Sequence, residues 1–167
     1  RAAVGARPCR RAASPPPLTG CSVASGKVMS EGVGLRPEGG GGKVARKYRT
    51  RLSLHATYPL EPMPEIVDRL GRGDVLCHTF QAKGPYSILD ENGRIFPEVW
   101  SARERGVLFD SAQGRIHCSF PVARAAIEQG FPPDVISTDL ITFSVYQERL
   151  FSLPVTMSRF LALDMSL

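Results

Sequence analysis

Short apolar segments alternate with helix-forming segments from residue 51 onward, and this alternation constrains the fold more than any other feature. The strand candidates, in chain order, are RLSLHA, DVLCHTF, VLFD and DVISTDL. Proline and glycine at the boundaries predict helices over MPEIVDRLG, PEVWSARERG and PVARAAIEQGF, and two more are expected at VYQERLF and TMSRFLAL. Parallel strands need a crossover connection, which a helix supplies. The pattern therefore predicts an α/β fold of about four βα units around a parallel sheet.

Four polar residues fall at the carboxyl ends of the strand candidates: His55, His78, Asp110 and Asp139. Both open parallel sheets and closed barrels place active sites at this edge. In an open, doubly wound sheet the four residues would be spread along a row, whereas in a barrel they converge around one axis. Convergence favours a partial (β/α)8 TIM barrel.

The amino-terminal part of the chain differs from the rest in hydrophobic pattern, glycine content and charge. Residues 1–25 lack apolar periodicity and are predicted to form a disordered, irregular and basic leader, followed by a barrel domain over residues 26–167. The glycine-rich stretch 32–42 is expected to be flexible. Residues 1–50 contain ten Lys or Arg residues against two acidic ones, so the positive net charge of the protein comes from this part.

Charge and cysteine content limit the classes of partner. No interleaved aromatic residues or recognition helix accompany the basic leader, so nucleic-acid binding is not expected. No apolar run reaches the roughly 18 residues of a membrane span. The four cysteines form no CxxC pair, and Cys77 and Cys118 are predicted to be small buried thiols in a reducing compartment. We expect a cytoplasmic protein that acts on a small-molecule substrate.

Two imidazoles and a carboxylate at one sheet edge are the ligand types of a divalent transition metal, zinc above all. Such an ion lowers the pKa of a bound water toward 7, which favours hydrolysis. Asp139 is placed to take the proton from that water. Each residue alone also has a structural interpretation. A single histidine after a strand is commonly a core residue, and Asp139 or Asp110 could belong to a turn.

Three stretches resemble the metal-dependent amidohydrolase superfamily, specifically its dihydroorotase-like, deacetylase-type branch. They are RLSLHATYPLEPMPEIVDRLGRGDVLCHTF, RGVLFDSAQGRIHCSFPVARAAIEQGFPPDVISTDL and LPVTMSRFLAL, of which the GF.PD.ISTDL block is the most specific. The resemblance implies a (β/α)8 barrel with one or two divalent metal ions, of which this chain would form about the last four βα units. It covers roughly residues 26–167.

The resemblance also implies roles for individual residues. His55 would be the metal ligand on strand 5, His78 the ligand on strand 6, and Asp139 the ligand on strand 8 and the general base. GKVMSEGVG is similar to the segment that carries the bridging carboxylated lysine, which makes Lys27 the candidate for it. His117 is a candidate for a substrate-facing or metal-proximal role, and is otherwise a loop or helix-cap residue. Arg115 is a candidate for substrate binding through a bidentate contact with a carboxylate.

One departure from the family pattern is large. The family has an HxH pair on its first strand, whereas the three histidines of this sequence form no such pair. We therefore expect a carboxyl-side piece of an amidohydrolase that hydrolyses C–N amide or acetyl ester bonds, with a homo-oligomer allowed in the full-length form. The alternative is a truncated, inactive chain that serves as an interaction module or is a gene-prediction artefact. A phosphate-binding open sheet lacks support, because GVG and GGGG precede no suitable strand and helix.

Overall fold

Four parallel strands form one sheet in the computed structural model, which describes residues 20–25, 40–57, 61–82, 87–114, 116–142 and 152–166. The strands follow one another across the sheet in chain order: β1 (Gly20–Ser25), β2 (Arg51–Ala56), β3 (Val75–Cys77) and β4 (Leu108–Phe109). Helices α1 (Gly40–Lys47), α2 (Met63–Asp68) and α3 (Pro97–Arg105) connect them, and α4 (Phe120–Glu128) and α5 (Leu153–Leu161) follow. The predicted α/β fold with a parallel sheet is confirmed.

The boundaries of the helices follow proline and glycine as the sequence predicts. Pro97 begins α3, and Gly106 ends it in the left-handed conformation with a φ of 92°. Helix α5 confirms the prediction over TMSRFLAL, whereas VYQERLF lies outside the described residues. Helix α2 ends at Asp68 and not at Gly71 as expected, because the Arg69 N–H bonds to the carbonyl of Ile66 and tightens the last turn.

The expectation of an irregular leader was wrong for residues 20–25. These residues form β1, which pairs with β2 from Gly20 opposite Arg51 to Ser25 opposite Ala56. The segment GCSVAS has little apolar pattern, so its strand conformation comes from pairing with β2 and not from local sequence. Residues 40–42, expected to be flexible, begin α1. Residues 1–19 lie outside the described part of the chain.

The fourth predicted strand, DVISTDL, is only partly regular. Val135 forms an isolated parallel bridge with Asp110, so the segment lies beside β4 as expected. The N–H groups of Gln113 and Gly114 bond to the carbonyls of Ser137 and Thr138 at 3.1 and 2.9 Å. The Ser137 N–H instead bonds to the hydroxyl of Ser111, so a side chain takes the place of a backbone partner and no regular ladder forms.

The two faces of the sheet differ in polarity. On β2, Leu52, Leu54 and Ala56 are buried in the apolar core, whereas Ser53 and His55 on the opposite face are half-buried. The core face packs against apolar residues of α2 to α5, including Ile66, Val67, Val99, Ala102, Ala123, Ala126 and Phe160. Cys77 of β3 lies beside Ser53, with its sulfur 3.2 Å from the hydroxyl. Helices thus cover one face, and the other presents polar groups.

None of the helices in the described ranges is both long enough and apolar enough to cross a membrane.

Candidate metal centre

The carboxyl edge of the sheet collects the polar residues that the sequence placed at strand ends. His55 is the penultimate residue of β2, His78 follows β3 directly, and Asp110 follows β4 directly. Asp139 lies four positions beyond Val135, which bridges to Asp110. The parallel direction of all four strands brings these ends to a single edge.

Three imidazoles and a carboxylate form a continuous chain of contacts at this edge. Nδ1 of His55 lies 3.2 Å from Nε2 of His78. The rings of His78 and His117 are 4.1 Å apart between centroids. Nδ1 of His117 lies 3.1 Å from Oδ2 of Asp139. The structure therefore brings together β2, the residue that follows β3, the loop after β4 and the segment after Val135.

Three residues of this chain, His78, His117 and Asp139, have an arrangement in which they could hold a metal ion. Each offers one ligand atom, and the three atoms lie within 4.8 Å of one another. Two imidazole nitrogens and a carboxylate oxygen are the donor types that zinc and similar divalent ions take in proteins. The donor set fits such an ion, and His55 adjoins it through its contact with His78.

The hydrogen bond of His78 to Ala112 leaves the lone pair of the neutral ring on Nε2, the nitrogen that faces Nδ1 of His55. Its Nδ1 lies 2.8 Å from the carbonyl oxygen of Ala112. A carbonyl can only accept, so Nδ1 carries the hydrogen and, in the neutral ring, Nε2 has the lone pair. A backbone carbonyl that fixes the tautomer in this way is a common arrangement at histidines that ligate metals.

Burial keeps this ring neutral. Desolvation lowers the pKa of His78 from its usual 6.5 to about 4, against the opposing effect of the Ala112 carbonyl. His117 and His55 lower it further, whereas Asp139 raises it. His78 is 3% exposed. At neutral pH it is therefore an uncharged donor, the form that binds a cation.

Several known proteins are similar to this chain in sequence or in fold. A deacetylase from Brucella anthropi is 32% identical over 148 residues, which cover 89% of this chain, and one from Agrobacterium fabrum matches equally. A dihydroorotase crystal structure covers 87% of the chain with a TM-score of 0.72 and 33% identity. An adenine deaminase structure covers 86% with a TM-score of 0.77 and 25% identity. The chain belongs to the metal-dependent amidohydrolase superfamily.

The matched region is a part of each relative. The chain spans 36% of the length of the two deacetylases, 37% of the dihydroorotase and 39% of the adenine deaminase. No family model matches the sequence of this amidohydrolase chain.

The carboxylate of Asp139 is held in its charged form in this amidohydrolase chain. Partial burial by itself raises the pKa of Asp139, but the hydrogen bond from His117 and the nearby His78, His117 and His55 rings outweigh it. The net effect lowers the pKa below its usual value. An ionised carboxylate at neutral pH can bind a cation or accept a proton.

Asp110 forms hydrogen bonds with two segments that adjoin the candidate metal centre. Its carboxylate accepts hydrogen bonds from the Ser137 hydroxyl at 2.8 Å and from the Ala112 N–H at 3.0 Å. Burial raises the pKa of Asp110, although both of these bonds lower it. The Ala112 carbonyl in turn accepts from His78. Asp110 thus positions the loop that orients His78.

Cys77 contributes a neutral thiol to the same face. Burial raises its pKa to about 11, although the Ser53 hydroxyl acts in the opposite direction. The sulfur lies 4.0 Å from Oδ2 of Asp110. A thiolate nucleophile is therefore not formed at neutral pH. Burial raises the pKa of Cys118 to about 11 as well, and both cysteines are free thiols. Cys77 is buried as the sequence predicted, whereas Cys118 is only half-buried.

Two of the residues at the site have unusual backbone conformations. His78 and Asp139 have φ values of 60° and 52°, in the left-handed region that non-glycine residues rarely adopt. Such conformations cost of order 1–3 kcal/mol each and cluster at functional sites. The surrounding contacts impose these backbone conformations, so the alternation of polar and apolar residues in the sequence does not predict them.

The structure places the ring of His117 against His78 and Asp139. Of the two roles that the sequence allows for this residue, contact with substrate or proximity to the metal, this position is compatible with the second. The loop after β4 approaches Asp139 closely at Gly114. This glycine has a φ of 48°, and a β-carbon there would lie 2.7 Å from Oδ2 of Asp139. The glycine in GRIHCSF is the one local signal for this approach. Lys27 and Arg115 lie outside the described residues.

Proposed function

We propose that this chain forms part of a metal-dependent hydrolase that cleaves C–N amide or acetyl ester bonds of a small-molecule substrate. The observation that supports it most is the grouping of His78, His117 and Asp139 within 4.8 Å at the carboxyl edge of a parallel sheet. This is the edge where α/β enzymes place their active sites. The deacetylase, dihydroorotase and adenine deaminase relatives support the same class of reaction.

The ion would be held by His78 through Nε2 together with His117 and Asp139. When bound, zinc or another divalent cation supplies Lewis acidity, which polarises a carbonyl and lowers the pKa of water. His55, proposed from the resemblance as a further ligand, lies outside this group of three and adjoins it through Nδ1, 3.2 Å from Nε2 of His78. Lys27, as a carboxylated lysine, and Arg115, as a contact for substrate, remain proposals from the resemblance alone.

Asp139 is proposed to accept the proton of the attacking water. Its lowered pKa keeps the carboxylate ionised at neutral pH, so it begins the reaction as a base. His117 orients that carboxylate through its Nδ1 contact at 3.1 Å. The proton taken up by Asp139 can then be passed to the leaving amine or alcohol, which completes the hydrolysis.

The architecture that we propose for the sheet is a segment of a (β/α)8 barrel. Helices cover one face, while Ser53, His55 and Cys77 lie on the other. A barrel interior presents side chains in this way, with the functional groups at its carboxyl-terminal mouth. The small-molecule substrate, the cytoplasmic location and a homo-oligomer of a longer form stay predictions.

Hydrolysis assays test this function directly. The chain, loaded with Zn²⁺ and separately with Co²⁺ or Mn²⁺, is assayed against N-acetylated amino acids, a cyclic amide and an acetyl ester. We expect metal-dependent release of acetate or ring opening that Asp139→Asn reduces by at least about 100-fold. Asp164→Asn, an exposed carboxylate of the last turn, is the matched control. Equal rates with and without Asp139, or after chelation, would contradict the proposal.

A second candidate function is metal binding without turnover. The three grouped residues His78, His117 and Asp139 account for metal binding and do not by themselves require turnover. Such a chain would serve as an interaction module. Stoichiometric metal binding with no hydrolysis of any of these substrates would favour this second candidate over the first.

A further inference from the structure

A basic cavity lies at the opposite end of the sheet from the metal centre. It has a volume of about 310 Å³, and its walls include the start of β2, the end of α1 and the turn before β3. Arg51 begins β2, and His55 lies four residues further along the same strand. At about 3.3 Å per residue these two positions are separated by about 13 Å, so the cavity is distinct from the candidate metal centre.

Four arginines and one carboxylate line this cavity: Arg46, Arg49, Arg51, Arg72 and Asp74. The carboxylate is occupied by backbone groups, since Asp74 accepts from the Leu52 N–H at 2.9 Å and from the Gly71 N–H at 2.8 Å. Within the ranges that the structure covers, none of the four guanidinium groups forms a salt bridge. The cavity therefore carries an uncompensated excess of positive charge.

Two of the guanidinium groups are fixed in place by backbone carbonyls. Arg46 donates through Nη2 to the carbonyl of Arg69 at 2.8 Å, and Arg51 donates through Nη1 to that of Arg72 at 2.6 Å. A guanidinium has five N–H donors, so each retains donors for a ligand. Arg51 also lies against Gly73, where a β-carbon would overlap its guanidinium. Both side chains are exposed, and these hydrogen bonds fix their guanidinium groups at the wall of the cavity.

We propose that this cavity binds a phosphate-bearing small molecule, through bidentate contacts from the arginine side chains. Planar guanidinium groups match the oxygen geometry of phosphate, and Arg is the residue commonly used for such recognition. The volume is at the lower end of the roughly 300–1,000 Å³ typical of small-molecule sites, which suits a diphosphate group with part of its carrier. Thr50 also lines the cavity, and its buried hydroxyl has no hydrogen-bond partner among the described residues.

Calorimetric titration of the whole chain with inorganic pyrophosphate, and separately with inorganic phosphate, tests the proposal. We expect pyrophosphate to bind more tightly than phosphate, and both to weaken as salt is raised, because screening reduces the attraction. Arg49→Ala and Arg72→Ala are the variants of choice, since both side chains are exposed. Each is expected to weaken pyrophosphate binding by about tenfold or more.

Arg124→Ala is the matched control, because Arg124 is an exposed arginine of α4 that does not line the cavity. It should leave binding unchanged, and circular dichroism should show that all three variants remain folded. Absence of pyrophosphate binding at low salt would overturn the proposal, as would equal weakening by Arg124→Ala. Tighter binding of a single-stranded oligonucleotide, with the same dependence on Arg49 and Arg72, would reassign the cavity to nucleic acid and also overturn it.

Discussion

Nδ1 of His117 lies 3.1 Å from Oδ2 of Asp139, although the two residues are 22 positions apart in the chain. This contact joins the loop after β4 to the segment that follows Val135. Neither segment is a regular strand at this point, so the contact between the two side chains helps to hold them together. It also places an imidazole and a carboxylate beside the buried ring of His78.

Gly114 is expected to be sensitive to substitution because of its close approach to Asp139. Gly114→Ala would put a β-carbon 2.7 Å from Oδ2 of Asp139 in a backbone with a φ of 48°, so the carboxylate must move away from His117. We expect a loss of stability of about 1–3 kcal/mol and weaker binding of Zn²⁺. Chemical denaturation and metal titration of the same sample measure both effects.

Gly93→Ala is the matched control for this substitution. Gly93 has a φ of 74°, but nothing lies within 4 Å of the β-carbon position. It should therefore destabilise the chain through backbone strain alone and leave metal affinity unchanged. Equal effects of the two substitutions on metal affinity would show that the close approach to Asp139 is unimportant.

The stability of the metal-free chain should depend on pH through His78. The unfolded chain binds a proton at this histidine near pH 6.5, whereas burial lowers the folded pKa to about 4. Between these values the unfolded state binds more protons, so the free energy of unfolding falls as the pH falls. The difference between these two pKa values corresponds to a loss of about 3 kcal/mol in the free energy of unfolding once His78 is fully protonated.

Urea denaturation at intervals from pH 7 to pH 4, in the presence of a chelator, measures this dependence. The variant His78→Gln removes the titrating group and should flatten the profile across that range. The lowered pKa of Asp139 has the same sign, but its contribution to stability is lost mainly below the ordinary value of 3.8, at the acidic limit of this range. A stability that rises from pH 6.5 to pH 4 would contradict the assignment of a buried neutral His78.

Cys77 and Cys118 should react slowly with iodoacetamide in the folded chain. Burial raises both pKa values to about 11, from an ordinary value of 9.0. At pH 8 the thiolate fraction is then lower by about 100-fold, and the thiolate is the reactive form. Mass spectrometry of peptides from folded and urea-unfolded samples gives the two rates. Similar rates in both samples would show that these thiols are accessible and ionised.

Part of this structure could be predicted from local pattern. The alternation of Leu52 and Leu54 with polar residues identifies β2, and proline and glycine mark α3, because these signals depend on the nearest neighbours in the chain. His55 and His78 were recognised as strand-end residues for the same reason. Their placement at one edge follows from the parallel direction of the strands.

The remainder depends on contacts between distant residues. Strand β1 has a single branched apolar residue, Val23, and forms by pairing with β2. The segment after Val135 lies beside the loop that follows β4, but its Ser137 N–H bonds to the Ser111 side chain, which no periodicity reveals. His117 joins the site because Gly114 permits a close approach to Asp139. Local sequence carries little information about such approaches.

Metal content is the measurement that tests the central claim most directly. The purified chain is titrated with Zn²⁺ under competition from a chromogenic chelator, beside the variants His78→Ala, His117→Ala, Asp139→Asn and the exposed control Asp164→Asn. We predict one tightly bound ion in the native chain and in the control, and at least about 100-fold weaker binding in each of the other three, because each loses a direct ligand. Unchanged zinc affinity in His78→Ala, His117→Ala and Asp139→Asn would contradict the account.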